Sequence, residues 1–530
     1  MIIASSHHAR PLPSEFRPAP SAVRSSQRTQ YQFPIYRFIN WIAIGSYLLG
    51  LVAMYFLLGM FGIPAPLGWA AIVIMFSFGI LLLDRPKLLL NSLMFFWWFL
   101  PSNRLFGLLP LPLPSFLDEL FFVPLVAVIV MHWIQSGPRK DELWYPFAFS
   151  IIAGLSWFLN GKGYPFPSFR ATIVTLKPFI LFYYCMITCP FESDRELRRW
   201  LILIVVFSAI QFPYNCLWQG APWPRIHPDY SGGMFGPHHA HRCGYINIIA
   251  LLLTAGWGLA DSKRMTKAQK LLFLLVTLIT LYNLVFMTDT KHGLLMAIVA
   301  FFPFLLHRRL PFKLKRNMLI AGLAFGILSI FYIFYTSHAT TNIRRYWNTF
   351  VDSPKGDYYR AITKDFPYLV RYPFFGAGPG RFGSDVSIDL RTPLARRFII
   401  SFLDERRRYL LTGGQTAFGG GTQLRYPEAD FLTSMGEYGW LGALVQYLFY
   451  ASILLMLWNK AKEQDRSTLA AFTMLGLFST LFFLVELTFF VNPSTLPQVV
   501  YPVWILIGRV WDMKVPPDNL LSDQLDIESA

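Results

Sequence analysis

Hydrophobic runs of near-spanning length follow one another along this chain from Phe38 to Trp511, separated mostly by short polar connections. A bilayer core needs roughly 20 apolar residues per helix, so such runs predict membrane-spanning helices. The pattern predicts about fourteen of them, near 38–60, 65–83, 88–103, 114–134, 144–160, 170–189, 199–218, 243–260, 270–288, 291–307, 317–336, 430–457, 467–490 and 496–511. Only one connection is long, the stretch 336–430. The predicted organisation is a disordered tail at 1–33, transmembrane helices over 34–335, a large loop over 336–430, further transmembrane helices over 431–511 and a second tail at 512–530. The fold class expected is an all-α integral membrane protein, a polytopic bundle of about 12–14 helices, because only helices and closed barrels satisfy the backbone in lipid.

Composition agrees with that pattern. Hydrophobic residues make up 54% of the chain and charged residues 15%, far from a soluble average. The first 33 residues, rich in Pro, Ser and Arg, lack the apolar centre and small-residue cleavage site of a secretory signal. Lysine and arginine set the expected orientation, since short cytoplasmic connections retain them. With the N-terminus inside, Arg85/Lys87, Arg139/Lys140, Arg195/Arg198/Arg199, Lys263/Arg264/Lys267/Lys270, Arg308 to Arg316 and Lys460/Lys462/Arg466 all fall inside, with both tails. The net charge of +17 is thereby mostly accounted for by topology, and a nucleic-acid partner is not expected.

This orientation puts the long loop outside. It holds fourteen basic and nine acidic residues, a mixture rather than a polybasic tract. Most of its arginines read as surface cations paired with Asp352, Asp357, Asp365, Asp385, Asp389, Asp404 and Glu405; a minority at the membrane mouth would present forks to phosphate oxygens. Residues 358–372 have apolar positions at helical spacing and predict an amphipathic helix along the membrane surface. The turn Gly376-Ala-Gly-Pro-Gly380 ends it, with a spacing that matches neither common phosphate-binding fingerprint. The glycine-rich stretch 412–422 reads as flexible.

The order of several motifs resembles the O-antigen ligase and Wzy-type polymerase superfamily. Pro373-Phe-Phe-Gly-Ala-Gly-Pro-Gly380 resembles that family's glycine turn, and Glu428-Ala-Asp-Phe-Leu-Thr-Ser-Met-Gly-Glu-Tyr-Gly-Trp-Leu-Gly442 resembles the helix entry that follows it. Upstream, Gly232-Gly-Met-Phe-Gly-Pro-His-His239 and Thr288-Asp-Thr-Lys-His-Gly293 are similar to two further elements. The resemblance covers about residues 200–450 and departs at two places. Glu428 stands where ligases have histidine, and Lys291 or His292 where they have arginine.

The resemblance implies a GT-C-like membrane glycosyltransferase in the bacterial inner membrane, with both termini cytoplasmic and the large loop periplasmic. Its donor would be a polyprenyl-diphosphate-linked oligosaccharide and its acceptor a glycan or lipid, with a chain-length regulator as a candidate partner. Arg360, Arg381 and Lys291 are the candidate diphosphate ligands. Glu428 is the candidate catalytic base, since a carboxylate can take the part of imidazole; a cap of the helix beginning near Asp430 is the competing role. His238, His239, Asp430 and Lys177 are candidate substrate contacts. No metal or cofactor is expected. Lys177 and Glu486 lie inside spans, where charge is costly and implies an interior-facing position. Cys216 and Cys243 flank one outer connection and could pair in an oxidising compartment. The substitution at Glu428 favours a polymerase of surface polysaccharide; a ligase acting on lipid A core or protein is the alternative, and a transporter the alternative of another class.

Overall fold

The structure is a computed structural model that describes residues 85–99, 104–105, 109–110, 117–137, 144–161, 165–219, 231–236, 239–261, 265–288, 290–307, short stretches between 312 and 327, 372–382, 384, 430–463, 466–489 and 496–513. Local signals account for many helix starts. Helix α1 (Pro86–Phe99) has proline at its first position, where the missing N–H costs nothing. After a two-residue antiparallel ladder, β1 (Arg104–Leu105) with β2 (Leu109–Pro110), come α2 (Leu117–Ser136) and α3 (Trp144–Ser156), which runs on into a π-helical turn at Trp157–Gly161. Helices α4 (Pro165–Thr188), α5 (Asp194–Gln219) and α6 (Ala240–Asp261) follow. The α7 helix (Lys267–Tyr282) opens on a Thr266/Gln269 capping box and closes in a second π turn at Asn283–Met287. Short α8 (Lys291–Ala300) and α9 (Phe302–Leu306) precede the long loop, and α10 (Asp430–Lys460), α11 (Thr468–Leu487) and α12 (Pro497–Val510) end the described chain.

Among the described residues, six helices are long and apolar enough to cross a membrane: Pro165–Thr188, Asp194–Gln219, Ala240–Asp261, Lys267–Met287, Asp430–Lys460 and Thr468–Leu487. This is an all-α architecture suited to a multi-pass membrane protein, with the small ladder as its exception. The expected spans 38–60 and 65–83 lie outside the described residues, and 317–336 largely so. Helix α4 begins five residues before the expected 170, because Pro165 supplies a helix start that hydropathy cannot register.

Packing places α11 at the centre and α7 at the edge. Of the spanning window, 78% is buried in α11 but 22% in Lys267–Met287. Small residues permit the close crossings: Gly256 of α6 lies against the Phe472 carbonyl of α11, and Gly508 of α12 against the Phe182 carbonyl of α4. Rings fill the remaining space, as where Phe449 stacks on both Tyr145 and Trp504.

Cations gather at one end of the bundle. Lys87 pairs with Glu192 at 3.1 Å and Glu196 at 3.4 Å, and Glu196 also meets the buried Arg509, whose Nε donates to the Cys189 carbonyl at 2.8 Å. Arg198 grips Asp261, Arg466 pairs with Glu463 and donates to the Met513 carbonyl, and Lys460 reaches Trp511. Residues from five separate stretches of sequence thus share one face, in keeping with the retention of cations on one side of a bilayer. The ends of α3, α10 and α11 that lie away from it carry the candidate site.

Candidate functional site

Helix α10 is broken. Gly439 has φ 72° and ψ −174°, so the helical ladder stops and restarts there, releasing backbone carbonyls that would otherwise be paired. The glycine turn of the long loop takes them: Ala377 N–H donates to the Gly436 carbonyl at 2.7 Å and Gly378 N–H to that of Glu437 at 3.1 Å. Ser156 of α3 adds a hydroxyl to the Glu437 carbonyl at 2.8 Å. The two chains come so close that a Cβ on Gly376 would strike the Gly439 nitrogen and one on Gly439 the Phe374 carbonyl. Both also need positive φ, which glycine adopts without strain.

Glu437 closes this joint. Its carboxylate is fully buried and accepts from Gly380 N–H at 2.7 Å, Phe382 N–H at 3.3 Å, Ser384 N–H at 3.1 Å and the Ser384 hydroxyl at 2.6 Å. Four donors around one charge replace the water that burial removes. The Gly376–Gly380 turn is thereby committed to a carboxylate of its own chain. The glycines work as a docking element.

The π turn at the end of α3 holds the other side of the turn. Asn160 donates from Nδ2 to the carbonyls of Tyr372 at 2.9 Å and Gly376 at 2.6 Å, and its Oδ1 accepts Tyr372 N–H at 3.2 Å. Ser168 of α4 donates to the Pro379 carbonyl at 2.9 Å. Arg381, half-buried, places Nη1 against the carbonyls of Asn160 and, at 3.2 Å, Ala377. Part of its fork is occupied by backbone, and its position beside the turn is fixed.

A second glycine segment, Gly232–Phe235, is seated the same way by polar side chains from inside the spans. Gln211 Oε1 accepts Met234 N–H at 2.9 Å, Asn215 Oδ1 accepts Gly233 N–H at 2.6 Å, and Trp218 Nε1 donates to the Gly233 carbonyl at 2.7 Å. Asn215 in turn donates to Asn283 Oδ1 at 2.6 Å, and Asn283 begins the second π turn. Each glycine segment is therefore tied to an asparagine on a π turn, a distortion that recurs where helices carry function. Cys243 sits beneath this network, approached by Asn215 and Asn283 Nδ2 at 3.5 Å and Asn247 Nδ2 at 3.8 Å. Cys216 and Cys243 are both free thiols, and the pairing their sequence positions allowed is not formed.

The remaining predicted residues are dispersed. Asp430 is buried at the first position of α10, where Phe431 N–H donates to the Thr488 carbonyl beyond α11 at 3.1 Å. That contact brings the start of α10 beside the end of α11. Lys291 is the first residue of α8, which packs along α11. Lys177 is buried halfway along α4 with its ammonium over the Phe122 ring at 5.3 Å, about 18 Å along the helix from Pro165. It belongs to the bundle interior. His239 is half-buried before α6. Glu486, on the last turn of α11, has a buried Oε2 with no hydrogen-bond partner among the described residues. Arg360, Glu428 and His238, the expected helix at 358–372 except Tyr372, and the 412–422 stretch lie outside the described residues.

Sequence reading missed Asn160, Ser156 and Ser168 as site-forming residues and took Glu437 only as part of a motif. A signal was present for some of the others: Gln211, Asn215, Asn247 and Asn283 are carboxamides within apolar runs, where an unmatched polar group is costly. No family model matches this chain, and no curated protein is significantly similar to it.

Proposed function

We propose that the protein is a membrane glycosyltransferase acting on polyprenyl-diphosphate-linked glycans at the face opposite the cation-rich end, polymerising surface-polysaccharide repeat units. The reading is supported above all by one observation. The glycine turn at 376–380 and the Glu437-to-Gly442 stretch, the two strongest parts of the family resemblance, pack directly on each other at the break in α10. Motifs that are remote in sequence and joined in space act as one device, and that device ties the 372–384 part of the long loop to α10.

The chemistry required is displacement at an anomeric carbon. The acceptor hydroxyl attacks that carbon while the bond to the lipid diphosphate breaks, the diphosphate leaves with the bonding electrons, and the hydroxyl proton passes to a base. Arg360, Arg381 and Lys291 are assigned to the charge developing on the diphosphate, and Glu428 to the proton. Arg381 is anchored to carbonyls of Asn160 and Ala377, so its charge is held in place before substrate arrives.

The test is glycan polymerisation by membranes carrying Glu428→Gln or Arg360→Ala, with insertion checked by immunoblot. Loss of a general base is expected to lower the rate by about 100-fold or more, and loss of a charged diphosphate ligand by about ten- to a hundred-fold. Full activity in both variants would overturn the site.

A further inference from the structure

A cleft of about 550 Å³ lies between α5, the end of α6 and α7, at the cation-rich end of the bundle and therefore away from the proposed glycosyl-transfer site. Its volume is that of a small-molecule pocket. Its polar floor is Arg198, Asp261 and Gln269. Above that floor, Ile202 and Val206 of α5 face Leu272, Phe273 and Val276 of α7. Helices α5 and α7 both start at the cation-rich end, so the apolar walls run roughly 12 Å towards the membrane centre. That depth approaches one leaflet, about 15 Å of hydrocarbon.

Three features select an occupant. The cleft opens sideways, because Ile202 and Val206 are each 45% exposed and Leu272 is 61% exposed, on the helix with the least buried span. Among the described residues the opening is left free to bilayer lipid. The single carboxylate of the floor is already committed, since Asp261 accepts both Arg198 Nε at 2.6 Å and Nη2 at 3.0 Å, and Trp257 Nε1 at 2.9 Å. The first turns of the two helices then carry exposed Arg195, Arg199, Lys267 and Lys270, while the nearest other acids are engaged elsewhere, Asp194 by Ser467 and Glu196 by Arg509 and Lys87. The polar floor is thus surrounded by cations, and the apolar slot runs from it towards the membrane centre.

We propose that this cleft binds an anionic phospholipid of the adjacent leaflet, with one acyl chain between α5 and α7 and the phosphate among the cations of their first turns. Basic pockets between transmembrane helices hold acidic headgroups for this reason. The lipid would fill the gap beside α7 and brace the helix that carries the Asn283 π turn at its far end.

Native mass spectrometry of the full chain in detergent tests the idea, with phosphatidylglycerol and phosphatidylethanolamine of identical chains added in turn. Phosphatidylglycerol is expected to bind about tenfold more tightly, and Arg195→Ala with Arg199→Ala to weaken it about fivefold per cation. Val206→Trp, which fills the slot, should abolish retention, while Leu203→Trp on the exposed face of the same helix should leave it unchanged. Equal retention of the two lipids by the wild-type chain would overturn the proposal without any variant, and so would wild-type binding by both Val206→Trp and the double arginine variant.

Discussion

Glu437 is the residue on which the joint between loop and membrane helix most depends. Its carboxylate is buried among four donors from the 380–384 segment, so truncation leaves those donors buried and unsatisfied. Glu437→Ala is expected to destabilise the protein by about 3 kcal/mol or more, read as a lowered melting temperature in detergent. Glu437→Gln keeps an acceptor oxygen but turns an NH2 towards N–H groups, and should cost about 1–2 kcal/mol. A Gln variant as unstable as the Ala variant would indicate that the negative charge matters more than the hydrogen-bond count. Asn160→Ala removes three hydrogen bonds to backbone around the same turn and should make the 372–384 segment more open to protease while membrane insertion is unchanged.

At the scale of elements, the two π turns set where polar side chains emerge from otherwise apolar helices. A π turn carries one extra residue, so deleting Phe158 should restore α-helical geometry and rotate Asn160 by about 100° relative to the helix before it. The expected result is the same protease-sensitive loop as in Asn160→Ala, although every side chain of the clamp is present. Unchanged protection would mean that the turn is incidental. Helix existence was legible from hydropathy, and most observed ends fall within a few residues of those expected. The π turns were not legible, because an inserted residue leaves no mark in an apolar run such as Trp157-Phe-Leu-Asn-Gly161. The break at Gly439 had a weak mark in Gly-Glu-Tyr-Gly, but glycine also serves close packing, as at Gly256 and Gly508, and sequence alone does not separate the two uses.

The whole molecule is polarised, with paired and exposed cations at one end and the glycine segments at the other. Single cysteines placed in a cysteine-free background at exposed Arg199 and exposed His241 should therefore be labelled by a membrane-impermeant maleimide from opposite sides. Labelling of both from one side would overturn the topology. By itself the sequence determined that the chain is a multi-pass helical membrane protein, because the hydrophobic cost of exposed apolar runs and the cost of unpaired backbone in lipid are set by composition and length alone. It also marked the segments of interest, through glycines and carboxamides placed where lipid-facing helices do not need them. Only the tertiary structure decided what they do. Glu437 lies more than fifty residues from the turn it holds, and Asn160 more than two hundred from Gly376. A buried charge is tolerated only where specific donors converge on it, and that convergence is a property of packed helices, which no local pattern along the chain contains.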